Sequence, residues 1–137
     1  MSLTKQHLDP AGLFSTKDLG FTHVVTSAPG KTVYVSGQTA WDADRKLVGG
    51  NDLAKQAEQA LRNLRTALQS AGATPRDVVF TRVMVVDYEP ADAAVVGAAL
   101  GAFFAGGPPP ASTWIGVQAL AAPGFRIEIE AIAVVGA

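Results

Sequence analysis

The sequence contains no cysteine, few histidines and few charged residues. Without cysteine the chain can form no disulfide and offers no thiolate as a nucleophile or metal ligand. With only two histidines, it has no transition-metal site of adequate ligand spacing. Lysine and arginine are scattered and the formal net charge is -1, whereas phosphate binding needs clustered positive charge. Nucleic acid is therefore not a favoured partner.

Long hydrophobic runs are also absent. The alanine-rich stretch that begins at Ala93 ends at Gly106, which is shorter than the ~18 apolar residues of a membrane span. The first residues, MSLTKQH, contain no apolar segment of the kind found in signal peptides. We therefore expect a cytoplasmic protein that does not bind membranes, folded as a single domain over residues 1–137.

The composition is unusually poor in charge for its apolar content. Apolar residues make up 48% and charged residues 17% of the chain, against a typical charged fraction of ~25%. A genome biased towards alanine and glycine would explain this composition. Coverage of part of the surface by other subunits would explain it equally well.

The first third of the chain has the pattern of β-structure. Residues 1–13 show little periodicity and are predicted to form an irregular arm. Residues 21–27 and 32–36 are rich in β-branched and aromatic side chains, and a Pro29-Gly30 turn separates them, so we predict a hairpin. Gly37 is predicted to break its second strand.

Two helices and three further strands are predicted next. Apolar residues recur at helical spacing from Leu53 to Leu68, with Asp52 as the N-cap and Gly72 at the end. Residues 78–87 form a long apolar strand typical of the centre of a sheet, and a second helix covers residues 89–105. Strands at residues 112–117 and 125–135 complete the chain.

This order of elements predicts an α+β fold. One mixed β-sheet would carry both helices on one face. No third helix is available for the other face, so self-association is the simplest way to bury it.

Two carboxylates of the last strand are candidates for catalysis. Alternation places Arg126, Glu128 and Glu130 on the same face, with the two carboxylates about 6.6 Å apart along the strand. A half-buried carboxylate there could orient water or accept a proton. Alternatively, Arg126 simply pairs with these carboxylates at a sheet edge.

Two other positions have polar groups in or beside strands. Ser36-Gly37-Gln38 combines a kink with a polar pair, and its glycine would let a ligand or another backbone approach closely; an ordinary end of the strand is the alternative. His23 lies beside Val24 and Val25, where a hydrogen-bonded structural role is more common than catalysis.

In the order and spacing of several short segments, the sequence resembles the RidA (YjgF, endoribonuclease L-PSP-like) family over roughly residues 14–135. The matching segments are residues 33–38 (VYVSGQ), 56–64 (QAEQALRNL), 71–73 (AGA), 77–79 (DVV), 103–104 (FF), 110–111 (PA) and 127–133 (IEIEAIA). The resemblance implies a chorismate-mutase-like fold and a homotrimer whose three sheets form a central barrel. It also implies small-molecule clefts between subunits, and hydrolysis of 2-imino or 2-enamino acids without a metal or cofactor.

Only some of the family's site residues are present at the corresponding positions of this sequence. The glutamate that positions water falls on Glu128, and the kinked strand end falls on Ser36-Gly37-Gln38. The aromatic wall, usually tyrosine, falls on Phe21. The arginine that grips the substrate carboxylate falls on Ser112, and the asparagine of many active members falls on Gly97. A hydroxyl cannot replace a planar cation with paired donors, so Ser112 argues against the standard deaminase activity.

Three hypotheses follow from this pattern. The first is a trimer that binds a small metabolite other than a simple 2-imino acid, with or without hydrolysing it. Alternatively, the protein is a standard 2-iminopropanoate deaminase in which Arg126 supplies the substitute charge. The third possibility is a non-catalytic trimer that binds a ligand or a protein partner. Family proteins have also been labelled ribonucleases, which the near-neutral charge does not support.

Overall fold

The computed structural model describes residues 4–11, 13–18 and 21–136. In order along the chain, its strands and α-helices are β1 (Thr4–Leu8), β2 (Val24–Ala28), β3 (Lys31–Gln38), α1 (Leu53–Ser70), β4 (Val78–Val86), α2 (Asp92–Phe103), β5 (Ala111–Val117) and β6 (Ile127–Val135). Apart from β1, this is the order that the sequence predicts.

The centre of the fold is a four-stranded mixed sheet in the order β3-β6-β4-β5. The β4 and β5 strands are parallel, whereas β6 is antiparallel to both of its neighbours. Helix α1 packs against β6, β3 and α2, so both helices cover the same face of the sheet. The predicted α+β fold, with one mixed sheet and two helices on one face, is confirmed.

The hydrophobic core lies between the helices and the sheet. Alternate residues of β4 and β6 point into it, as expected for two central strands. Its largest fully buried side chains include Leu64, Leu68, Val83, Ile127 and Ile129.

Helix α1 begins and ends where local chemistry predicts. The Asp52 carboxylate accepts a hydrogen bond from the backbone N–H of Lys55 at 3.1 Å, which satisfies a free donor of the first turn. Gly72 follows the helix with a φ of 77°, a left-handed conformation that favours glycine. The α1 boundaries are therefore fixed by its own sequence.

The predicted N-terminal arm and hairpin are wrong in part. Thr4–Leu8 is a strand, not irregular chain, and it pairs antiparallel with β2 to form a separate two-stranded sheet. The β3 strand pairs instead with β6. Pairing between distant segments cannot be read from a local turn signal, because the turn between β2 and β3 fits either arrangement. The remainder of the predicted arm includes residues 1–3 and 12, which lie outside the described residues.

Gly37 also does not end its strand. The β3 strand continues to Gln38, and its pairing with β6 shifts register between Val35 and Gln38. The glycine therefore lies in a β-bulge, an irregularity that bends a strand without ending it.

The sheet face opposite the helices, called here the open face, is apolar in part. It includes Tyr34, which is 78% exposed, and Ile115, which is 40% exposed. Phe80, Met84 and Ile132 are half-buried beside them. An apolar sheet face without covering helices is typical of an interaction surface.

Candidate functional site

Glu128 and Gly37 form the first group of predicted site residues. Glu128 lies on the open face of β6, and its side chain crosses the β3 bulge. A Cβ atom built on Gly37 would lie only 1.8 Å from Oε2 of Glu128 and 2.7 Å from its Cγ. Only glycine leaves room for the carboxylate at this place. The bulge thus holds a carboxylate against exposed backbone.

The loop after the bulge is fixed by hydrogen bonds. Gln38 donates from Nε2 to the carbonyl oxygen of Ser36 at 3.0 Å. Asn63 of α1 donates to the carbonyl oxygens of Thr39 at 2.8 Å and Trp41 at 2.7 Å. Gly37 and Gln38 line one wall of a cavity of about 590 Å³ in this region. The structure therefore brings Ser36, Gly37, Gln38 and Glu128 together.

The second carboxylate of the last strand has a different environment. Glu130 forms an ion pair with Arg82, which lies opposite it on β4. The guanidinium of Arg82 also lies 5.8 Å from the centre of the Phe80 ring. Among the described residues, none of the ion pairs includes Glu128. The sequence analysis missed Arg82, although a lone arginine in an apolar strand was the signal for a paired charge.

Arg126 is not brought to Glu128. Its guanidinium donates to the carbonyl oxygen of Asn51 at 3.1 Å and lies 4.0 Å from a carboxylate oxygen of Asp92. These partners stand at the starts of α1 and α2, on the side of the sheet opposite Glu128. The arginine precedes the first residue of β6, so strand alternation does not fix the direction of its side chain.

Ser112 belongs to a second group, on the helix-covered side of the sheet. It pairs in register with Thr81, which is 1% exposed, and the Thr81 hydroxyl donates to the Ser112 hydroxyl at 2.9 Å. Thr81 shares its strand face with the buried Val83. Within one chain, Ser112 and Glu128 therefore lie on opposite faces of the sheet.

Trp114, two residues after Ser112, was missed by the sequence analysis. It packs against the core on the same strand face as Ser112. A Cβ atom built on Gly97 of α2 would lie 3.7 Å from Cη2 of this tryptophan. Trp114 thus contacts the helix at Gly97, the position at which the resemblance places the family's asparagine. No local pattern reveals this pairing, because it joins a helix to a strand.

Phe21 and Gly97 line a cavity of about 550 Å³ next to α2, called here the α2 cavity. Thr22 anchors this segment through its N–H to the carbonyl oxygen of Pro110 at 3.0 Å and through its hydroxyl to that of Pro109 at 2.5 Å. The predicted aromatic wall and the helix position therefore face one space, near the start of β5.

His23 has a structural role in this region. Its Nε2 atom donates to the carbonyl oxygen of Phe14 at 2.8 Å. The ring packs edge-on against Phe14, at 4.6 Å between centres, and against Phe21, at 5.9 Å. His23 thus holds the aromatic wall in place.

His7 of β1 should make stability depend on pH. Its Nε2 atom is buried and has no hydrogen-bond partner among the described residues, and burial together with the positive charge of Lys5 lowers its pKa below 6.5. Protonation therefore favours the unfolded state, and stability should fall as the pH drops from about 6.5 towards the lowered value. We expect the melting temperature to fall more between pH 7.5 and 5.5 in the wild type than in His7→Gln. Parallel curves would contradict this expectation.

Among the described residues, no group of three or more histidine and acidic side chains could hold a metal ion. No helix in this part of the chain is long and apolar enough to cross a membrane.

Several known proteins are similar to this chain in sequence or in fold. A rat protein named 2-iminobutanoate/2-iminopropanoate deaminase is 38% identical over 107 residues, which cover 77% of this chain and 74% of the relative. The human protein of the same name is 34% identical over 107 residues, with the same coverage of 77% and 74%. Among solved structures, YyfB from Yersinia pestis, a protein of unknown function of the conserved Rid family, has a TM-score of 0.92 and 45% identity, covering 96% of this chain and 98% of that one.

Other solved members are less similar. The RidA protein of an Antarctic Psychrobacter has a TM-score of 0.69 and 32% identity, covering 79% of this chain and 84% of that one.

The family model described as endoribonuclease L-PSP matches residues 17–135. The chain therefore belongs to this family, the RidA (YjgF) family.

Proposed function

We propose that the protein is a homotrimer whose intersubunit clefts bind a small metabolite and hydrolyse an imine or enamine, without a metal or organic cofactor. The observation that carries the proposal is the carboxylate of Glu128, held against Gly37 without an ion-pair partner among the described residues. Family members named as imine deaminases support the class of reaction.

Assembly would complete the site. The open face is apolar in part, with Tyr34 and Ile115 exposed, and three copies could bury it in a common interior. Glu128 and Ser112 lie on opposite faces of one sheet, so a cleft that contains both must combine two subunits. Sedimentation equilibrium tests this assembly: a mass of three chains supports it, and a monomer overturns it.

Glu128 would act on water. In imine hydrolysis, water adds to the carbon of the C=N bond and gives its proton to a base. The same group returns that proton to the nitrogen, which gives a carbinolamine. It then passes the hydroxyl proton to the nitrogen as the C–N bond breaks, leaving a carbonyl compound and ammonia or an amine. A carboxylate fixed beside the reacting carbon can serve in both steps. The contact with Gly37 fixes the carboxylate on one side.

The substrate would differ from a simple 2-imino acid. Such an acid carries a carboxylate, and the family's arginine for that group is Ser112 here. Arg126 does not replace it within the chain, because Asp92 already lies near its guanidinium. This pairing disfavours the standard deaminase with a substitute anchor.

Turnover of freshly generated imines tests the proposal. We expect the wild type to hydrolyse 2-iminopropanoate slowly, and to hydrolyse an imine without a carboxylate faster. Glu128→Gln should abolish both reactions, because an amide cannot accept the proton. Ser112→Arg should raise the rate with 2-iminopropanoate, and Gln69→Arg, at an exposed position on α1, is the control for an added arginine.

The outcomes separate the hypotheses. Fast turnover of 2-iminopropanoate by the wild type would instead support the standard deaminase. A wild type that hydrolyses no imine, with Glu128→Gln unchanged in every assay, would support a non-catalytic binding protein.

A further inference from the structure

A groove runs between the outer surfaces of α1 and α2, and is called here the α1–α2 groove. Ala54 lines it from α1, Ala98 and Ala102 line it from α2, and all three side chains are exposed. Leu61 and Phe103 close its floor and are nearly buried, at 4% and 9% exposure. The groove has a volume of about 570 Å³. Its accessible walls are therefore apolar and belong to both helices.

The α2 side of this groove lacks polar side chains. From Ala93 to Ala105 the sequence contains only alanine, valine, glycine, leucine and phenylalanine, although Ala98 and Ala102 are exposed. A surface helix usually carries polar residues on its outer face, and a helix that is apolar all round is usually covered. With about 3.6 residues per turn, the groove residues lie on the opposite side of α2 from Gly97 and the α2 cavity. The groove is therefore a separate surface, and it is not part of the open face that the proposed trimer would bury.

The charges around the α1–α2 groove are predominantly positive. Arg65 lies on the α1 rim with its guanidinium 5.0 Å from the centre of the Phe103 ring, and it forms no ion pair among the described residues. Arg62 lies 3.6 Å from Glu58, but these side chains are 67% and 72% exposed, so the pair is weak. Arg76 lines an adjoining hollow of about 380 Å³ together with Arg65 and Phe103. Three arginines thus accompany one glutamate along the groove and its extension.

The length and walls of the groove suit a third helix. The α1 residues that line it extend from Ala54 to Arg65, about 16 Å or three turns of helix. Alanine walls let another helix approach closely, and apolar side chains of that helix at spacings of three and four residues would lie along the groove. A bilayer fits this surface poorly, because alanines in a concave groove do not project into lipid. Nucleic acid fits it poorly too, because phosphates would meet an apolar floor.

We infer that the α1–α2 groove docks an acidic amphipathic helix, about three turns long, of a protein partner. The apolar side chains of that helix would lie against Ala98 and Ala102, and its aspartates or glutamates would face Arg62 and Arg65. The positive rim selects the sign of the partner's charge, and the apolar walls supply the contact area. This inference goes beyond the proposed function because it concerns another surface, and it holds whether or not the protein hydrolyses imines.

Two stapled helical peptides of three turns test the inference. They share leucines at spacings of three and four residues and carry either glutamate or lysine at the flanking positions. In fluorescence anisotropy with the full-length protein, we expect the glutamate peptide to bind about ten-fold more tightly than the lysine peptide. The preference should decrease at 1 M salt, which screens exposed charges. Arg65→Glu should lower this preference about five-fold or more, whereas Arg45→Glu, the same charge change in an exposed loop outside the groove, should not.

A second pair of variants locates the binding. Ala98→Gln should block the glutamate peptide, because its longer side chain fills the groove from an exposed helix position. Ala94→Gln, at an exposed position of the same helix outside the groove, is the matched control. Equal affinities, tighter binding of the lysine peptide, no binding of either peptide, or binding that Ala98→Gln leaves intact would each overturn the inference. If Ala98→Gln instead changes the mass of the assembly or its binding to phosphatidylglycerol vesicles, with neither peptide bound, the groove serves a second copy or a membrane and the inference is wrong.

Discussion

Gly37→Ala is expected to lower any turnover that depends on Glu128 by about 100-fold while the protein stays folded. The added methyl group would occupy the position of the carboxylate, 1.8 Å from Oε2 and 2.7 Å from Cγ. Because Cγ is also too close, the whole side chain must rotate away. A displacement of about 1 Å at a catalytic group can cost ~10²-fold in rate.

Stability should change little in Gly37→Ala. Gly37 is not among the residues with positive φ, so alanine adopts its backbone conformation without strain. The neighbour that must move is one flexible side chain, and no backbone atom is among the three nearest atoms. Loss of activity with a nearly unchanged melting temperature would therefore identify a displaced carboxylate and exclude unfolding as the cause.

A double-mutant cycle sharpens this test. In a Glu128→Ala background, Gly37→Ala should have no further effect on turnover, because the group it displaces is gone. Gly106→Ala is the control for glycine replacement: its added methyl group would make ordinary van der Waals contact with Arg76, 3.5 Å from Cδ, and should leave turnover unchanged. If Gly37→Ala keeps wild-type rates, the carboxylate does not work from this position.

The sequence predicts the layers of this fold well because each helix and core strand carries its own signals. Asp52, Gly72 and the alternation of β6 each act over a few residues, and the structure agrees with all three. The pairing of β1 with β2 depends on contacts between segments far apart in the chain. No local pattern encodes such contacts, so the predicted arm and hairpin are wrong in part.

The same difference between local patterns and long-range contacts applies to the candidate site. The alternation of β6 correctly places Glu128 and Glu130 on one face of the sheet, yet only the three-dimensional structure reveals why residue 37 is glycine. The alternation also suggested that Arg126 shares the face of Glu128. The contacts with Asn51 and Asp92 give its side chain another direction. A long side chain at a strand end is directed by its charge partners rather than by the pleat.

Gln56 is the residue whose replacement should cost the most stability. It is 0% exposed on α1, and its amide links three backbone groups of other segments. Nε2 donates to the carbonyl oxygens of Gly50 at 2.7 Å and Gly124 at 2.8 Å, and Oε1 accepts from the N–H of Arg126 at 2.8 Å. One side chain thus ties α1 to the loops on both sides of the site.

Replacing Gln56 with methionine keeps the length of the side chain but removes these hydrogen bonds. Three backbone groups lose a partner, at about 1–3 kcal/mol for each one left buried. We expect a loss of roughly 3–5 kcal/mol in the free energy of unfolding, measured from urea transitions. Gln69→Met, at an exposed position near the end of the same helix, controls for helix propensity and should change the transition little.

The same replacement should also disturb the site from a distance. Gln56 fixes the N–H of Arg126, the residue immediately before β6, and Glu128 follows two residues later. We therefore expect Gln56→Met to lower Glu128-dependent turnover even at temperatures where the variant is fully folded. Gln56→Glu shows whether lost hydrogen bonds or lost packing is the cause. The ionised glutamate side chain would repel the two carbonyl oxygens, whereas the protonated side chain can donate to one of them. Its stability relative to Gln56→Met should rise as the pH falls, and a pH-independent difference would mean that the side chain acts by filling space.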